Sequence, residues 1–159
     1  MTDKDYIQLL ADSLSKKSYL LDRLRAKNEE QRVYLTDKNL TTEDFERIVS
    51  EKDDIIAEIT KLDDGFEVVY DRVKEILVRD RSLYKEEIAK MQEFIRRIVE
   101  KDASVRVQEK QNYELAQKKF KDVRKQIREA KASQKMVNTY YQNMMRQSAV
   151  ESSIYDGKK

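Results

Sequence analysis

The chain has 159 residues, a net charge of +2, no cysteine, no proline and no histidine, with 40% of its residues charged and 39% hydrophobic. That length bounds it to a single architecture, and the lack of cysteine excludes a disulfide framework or a thiolate metal site. With histidine and cysteine both missing, the usual general bases and nucleophiles are gone, so no enzyme activity, cofactor or metal centre is expected.

Turn-forming residues are scarce as well. A helix interior is weakened by about 1 kcal/mol by glycine and about 3 by proline; here only Gly65 and Gly157 occur, so long helices can run unbroken. The low apolar fraction suits thin bundles, which bury one stripe of each helix and wet the rest. The expected fold is all-α, an elongated antiparallel helical bundle or coiled coil of three long helices, the third extending beyond the hairpin of the first two. No segment approaches the roughly 20 apolar residues of a membrane span. The start, with Asp3, Lys4 and Asp5, does not read as a secretory signal, which points to the cytoplasm.

In chain order, the first helix is marked by Ile7, Leu10, Leu14, Leu21, Leu24 and Leu35 at three-four spacing, with Lys17, Asn28 and Gln31 in the missing turns. The pattern stops near Thr36 to Thr42, where Thr41 followed by Asp44 offers an N-cap with acid in the first turn of a second helix. The stripe of that helix is Phe45, Ile48, Ile55, Ile59, Leu62, Phe66, Val69, Val73 and Ile76, with Lys52 in one slot and Val49, Ile56 and Leu77 widening the face. Its phase survives Gly65, so the helix is expected to pass through that residue rather than end there. Continued past Ile76, the register would bury Asp80 and Glu87. A new register, Tyr84, Ile88, Met91, Ile95 and Ile98, takes over and places a short connection around Arg79 to Ser82.

From Glu100 to Asn112 the stripe thins to Val105 and Val107, then resumes as Tyr113, Ala116, Phe120, Val123, Ile127, Ala130, Val137, Tyr141 and Met144. Residues 148–159 lack periodicity and read as a flexible tail. Residues 1–100 hold 19 Lys/Arg against 24 Asp/Glu, a net of −5, whereas residues 101–135 hold 11 against 5, a net of +6. The chain therefore divides into a helical hairpin or bundle region (1–100) and a basic amphipathic helical arm (101–147). A single helix from Ser82 to Gln147 would be about 99 Å long against about 54 Å for each of the first two. Leaving its distal apolar residues in water would forfeit on the order of 10 to 20 kcal/mol. The alternatives are a break near Asp102 with a fourth helix, a cover supplied by another chain, or an arm that orders when a partner arrives. Asp122 and Glu129 interrupt the basic run, and a Lys/Arg face opposite an apolar stripe is ordinarily a solvated helix side. No nucleic acid partner and no membrane insertion are expected.

Two stretches, Thr41 to Leu77 and Ala130 to Met145 with the ending Tyr155 to Lys159, resemble the FlgN-type flagellar export chaperone family. TTEDFERIVSEKDDIIAEITKLDDGFEVVYDRVKEIL, Thr41 to Leu77, is similar to the middle of that family, where a Glu-Lys pair precedes an aliphatic cluster and a Leu-Asp step. AKASQKMVNTYYQNMM, Ala130 to Met145, with the ending YDGKK, Tyr155 to Lys159, resembles the C-terminal arm of family members from Gram-positive flagellated bacteria. The resemblance implies a cytosolic chaperone that binds the C-terminal helices of hook-associated proteins, prevents their premature assembly and hands them to the type III export apparatus. It also implies that Phe120, Val123, Ile127, Val137, Tyr140, Tyr141 and Met144 form the client groove or one wall of it. Two other readings stand beside it. One is a self-associating coiled-coil scaffold, with a weak homodimer through the C-terminal arm; the other is a chaperone of FliT or FliS type serving cap protein or flagellin.

Overall fold

The computed structural model describes residues 1–37, 41–129, 142, 143 and 146, with side chains in the third helix as far as Lys125. Three α-helices account for almost all of them: α1, Asp3–Thr36; α2, Thr42–Arg79; and α3, Lys85–Glu129. No strand occurs among the described residues.

Each of the first two helices begins with the same reciprocal cap. The Asp44 N–H donates to Thr41 Oγ1 at 3.2 Å, and the Thr41 N–H donates back to Asp44 Oδ2 at 3.3 Å. The Thr2 N–H likewise donates to Asp5 Oδ2 at 2.8 Å, and the Asp5 N–H to Thr2 Oγ1 at 3.2 Å. Each pair satisfies two of the four donors that a helix start leaves open. The bonds from Thr2 also hold the Asp5 carboxyl below the usual carboxylate range. Gly65 lies inside α2, which passes through it without a positive φ, as the unbroken stripe predicts. The expected connection also appears: α2 stops at Arg79, and the Leu83 and Tyr84 N–H groups donate to Asp80 O at 2.9 and 3.3 Å before α3 begins.

The chain divides into two compact units, each built from pieces of all three helices. Unit 1 combines Met1–Arg25 with Asp54–Val105, and unit 2 combines Ala26–Asp53 with Arg106–Lys159. The boundary expected at residue 100 thus falls inside α3, and compactness cuts across the hairpin as well as the third helix. No break occurs near Asp102, because α3 is continuous through it.

In unit 1 the core is Ile7, Leu10, Ala11, Leu14, Leu20, Leu21 and Leu24 of α1, Ile55 and Val73 of α2, and Met91, Ile98 and Val105 of α3. The Arg72 guanidinium lies 4.4 Å over the Tyr6 ring, and Lys17 Nζ pairs with Asp63 at 2.7 Å, so α2 runs antiparallel to α1. Leu14 lies with Ile95 and Ile98, and further along Lys101 Nζ reaches Ser18 Oγ at 2.7 Å and Asp22 at 2.9 Å, so α3 runs parallel to α1.

Unit 2 repeats this arrangement around a second core of Tyr34, Leu35, Phe45, Ile48, Val49, Ala116 and Phe120, with the Tyr34 and Phe45 rings 5.0 Å apart. Its α1 and α2 segments are laced by Lys27 with Glu30 and Glu51, and by Arg47 with the same two carboxylates. At the end of α1, Lys119 Nζ donates to the carbonyls of Tyr34 and Asp37 at 3.2 and 3.0 Å and sits 4.4 Å over the Tyr34 ring. A cation there satisfies terminal carbonyls and opposes the negative end of the helix dipole. Burial pushes the Lys119 ammonium down from its usual range, against the pull of Asp37. Residues 101–120 of the expected arm are therefore packed along α1, and α3 continues for ten residues beyond Lys119, about 15 Å.

Candidate functional site

Of the residues assigned to a client groove from the sequence, the structure places two. Phe120 is 4% exposed and belongs to the core of unit 2, so its ring is enclosed by this chain and is not a free surface. Val123, one turn further on, is half-buried. The backbone of Ile127 lies in α3, but its side chain falls outside the described residues, as do Val137, Tyr140, Tyr141 and Met144. Arg146, which is described, pairs with Glu46 of α2 at 3.4 Å.

Three of the four slots that the sequence marked as interruptions of the stripe, Asn28, Gln31 and Lys52, belong to a buried polar cluster in unit 2. Lys52, fully buried, places Nζ 2.7 Å from Glu109 Oε1 and donates to Gln31 Oε1 at 3.0 Å. Asn112 Nδ2 donates to Asn28 O at 2.9 Å and to Gln31 Oε1 at 3.2 Å, and Asn28 Nδ2 donates to Gln108 Oε1 at 3.2 Å. All three helices contribute, which explains why the α3 stripe thins between Glu100 and Asn112: Glu109 and Asn112 occupy core places there. This pairing of the helices satisfies most of the layer and leaves Asn28 Oδ1 buried without a hydrogen bond, so its contribution is to register more than to stability.

An open apolar cleft lies in unit 1. It measures about 210 Å³ and is lined by Leu14 and Lys17 of α1, by Leu62, Asp63 and Phe66 of α2, and by Ile95 and Ile98 of α3. Leu62 and Phe66 belong to the core-facing stripe of α2, yet they are only half-buried, as are Ile59 and Val69 on either side of them. Ile95 was expected in the core and is instead 46% exposed. The reason is geometric. It sits on the α2-facing flank of the α3 stripe, where the covering α2 side chains leave a gap.

Further apolar surface surrounds the cleft residues on α2. Tyr70, which is exposed, stacks on Phe66 at 6.1 Å between ring centroids. The Lys17–Asp63 pair at the rim joins partly exposed side chains, which contribute about 0 to 1 kcal/mol and can be displaced cheaply. A cleft of this size is smaller than the roughly 300–1,000 Å³ of small-molecule sites, and it suits one or two side chains of a docking helix.

Sequence reasoning placed Leu14, Leu62, Phe66, Ile95 and Ile98 in the core and so missed the cleft. Among the described residues there is no cluster of three or more potential metal ligands, and no helix is long and apolar enough to cross a membrane. Compared with known proteins, the chain matches no family model, no curated protein and no solved structure.

Proposed function

We propose that this protein is a helix-binding chaperone of flagellar export, similar in role to the FlgN-type family that Thr41–Leu77 and Ala130–Met145 resemble. In this reading it acts in the cytoplasm and performs no chemistry of its own. It captures the C-terminal helices of hook-associated proteins, prevents their premature assembly and releases them to the export apparatus. The observation that carries the reading is the incomplete closure of unit 1, where Ile59, Leu62, Phe66, Val69 and Ile95 remain partly open to solvent although their spacing is that of core residues.

Apolar side chains in that condition gain further burial when an amphipathic helix lies over them, at about 25 cal/mol per Å² removed from water. The absence of histidine and cysteine agrees with a binding role. Release without nucleotide chemistry calls for modest affinity, which a shallow cleft supplies. The arm from Val123 onward, including Ile127, Val137, Tyr140, Tyr141 and Met144, is the second surface this function would use.

The test is calorimetric titration of the full chain with a C-terminal peptide of a hook-associated protein. Saturable binding is expected, weakened about tenfold or more by Phe66→Glu. Binding that survives Phe66→Glu but is lost in Ile127→Glu/Tyr141→Glu assigns capture to the arm. A chain that sediments as a stable oligomer at nanomolar concentration and takes up no such peptide is a self-associating scaffold. Preference for a cap-protein or flagellin peptide makes the client a different flagellar subunit.

A further inference from the structure

We infer that the buried polar layer of unit 2 decides which helix can close on the α1–α2 hairpin: it admits a helix that brings a carboxylate, as α3 does, and rejects the hairpin of a second copy of this chain.

The first ground is what the hairpin lacks. Lys52 is the one buried cation among the described residues, and the one buried carboxylate, Glu109, stands on α3, where the two meet at 2.7 Å. The carboxylates next to Gln31 and Lys52 in the sequence are committed elsewhere, since Glu30 and Glu51 each pair with Lys27 and Arg47. Asn28 and Gln31 are carboxamides, which both donate and accept and so can pair with copies of themselves; an ammonium only donates. Two hairpins packed face to face would therefore enclose two Lys52 side chains and no carboxylate. The third helix instead supplies Glu109 to Lys52, Gln108 to Asn28 and Asn112 to Gln31.

The second ground is that the rest of this core is unselective. Tyr34, Leu35, Phe45, Ile48 and Val49 of the hairpin are covered by Ala116 and Phe120 of α3. Apolar burial is non-directional, and antiparallel helix pairs with such a stripe join into four-helix bundles. Only the polar layer tells α3 from a second hairpin. It does so at a cost, because Asn28 Oδ1 stays buried without a hydrogen bond, and apolar packing in place of a buried ion pair is often as stable or more so. A polar group at a core position that sets the number of helices while lowering stability has this same character. Neither ground depends on helix capture in unit 1.

The experiment is sedimentation equilibrium of the full chain and of two single variants, Lys52→Met and Glu109→Leu, from nanomolar to micromolar concentration. Each variant strands one buried charge, so both lower the thermal unfolding midpoint. They differ in what stays on the hairpin. In Lys52→Met the hairpin face is free of charge and the stranded Glu109 departs with α3, so reversible dimerisation about a hundredfold stronger than that of the wild type is expected. In Glu109→Leu the cation remains, a dimer would bury two of them, and the variant stays as monomeric as the wild type. Dimerisation of both variants overturns the inference, since exposed apolar surface is then the cause. Dimerisation of neither, or of Glu109→Leu alone, overturns it as well, as does a wild type already dimeric at nanomolar concentration. If either single variant has lost its helical circular dichroism, the fully apolar layer decides: Asn28→Leu/Gln31→Leu/Lys52→Met/Glu109→Leu/Asn112→Leu should self-associate, and a monomeric form of it overturns the inference.

Discussion

Units 1 and 2 draw on the same three helices and the same directions of packing, yet they close to different degrees. In unit 2 the α2 segment is fully engaged: Phe45, Ile48, Val49 and Lys52 are all buried, and the charges around them are paired across helices. Unit 1 buries its α1 face as thoroughly, but on α2 only Ile55 and Val73 are enclosed, with Ile59, Leu62, Phe66 and Val69 between them partly wet. Burial and polar satisfaction are thus concentrated where register must be fixed, and relaxed where a partner helix could add its own side chains. The same α2 helix is a core element in one unit and an unfinished wall in the other.

The sharpest way to break this comparison is to unbalance the buried pair of unit 2. Lys52→Ala leaves Glu109 without its cation in a largely buried setting and should cost about 3–5 kcal/mol in urea unfolding. Replacing both residues, as Lys52→Met/Glu109→Leu, should return most of that stability. A near-neutral Lys52→Ala would mean that solvent already reaches the pair. The next contrast uses one residue type in both units. Phe120→Ala, in a closed core, should cost about 3–5 kcal/mol, whereas Phe66→Ala, at the open cleft, should cost less than half of that. Equal losses would show that the two units are closed alike.

Alkaline titration offers a smaller effect confined to unit 2. Burial, reinforced by Asp44 and Glu46, pushes the Tyr34 phenol up to about 12. A phenol whose folded value lies above its unfolded value of about 10 keeps its full stabilisation below pH 10 and loses it as the pH rises through 12, about 3 kcal/mol in all. Absorbance at alkaline pH should show a late-ionising tyrosine phase, and that phase should vanish in Tyr34→Phe. The smallest effect has the opposite sign: Gly65→Ala should stabilise the chain by about 1 kcal/mol, read from the shift in thermal midpoint.

Much of this architecture was legible in the residues. The three helices, the Thr41 cap, the passage through Gly65 and the connection at Arg79 to Ser82 follow from periodicity and capping chemistry, which are local. The interrupting residues Asn28, Gln31 and Lys52 could also be read as occupants of core slots, although not as partners of one another. What the sequence could not convey was the distance between helices. Leu62, Phe66 and Ile95 have the same spacing as Leu10 and Leu14, and whether such residues end up dry depends on how far neighbouring helices stand apart. The candidate arm was legible only as far as its periodicity: the same repeat that marked Phe120 as a binding residue also fits the core position it occupies. The Thr2–Asp5 cap was overlooked although it repeats the spacing of Thr41 and Asp44.

The polar cluster of unit 2 also has a consequence for synthesis. Asn112 donates to a carbonyl 84 residues earlier in the chain, and at translation rates of roughly 5–20 residues per second that partner emerges about 4–17 s after Asn28. During this interval the nascent hairpin holds Asn28, Gln31 and Lys52 on what will become an inner face, hydrated and without the third helix. Apolar residues in those places would expose a continuous sticky seam to other nascent chains. Polar ones keep the unfinished product wettable until α3 arrives.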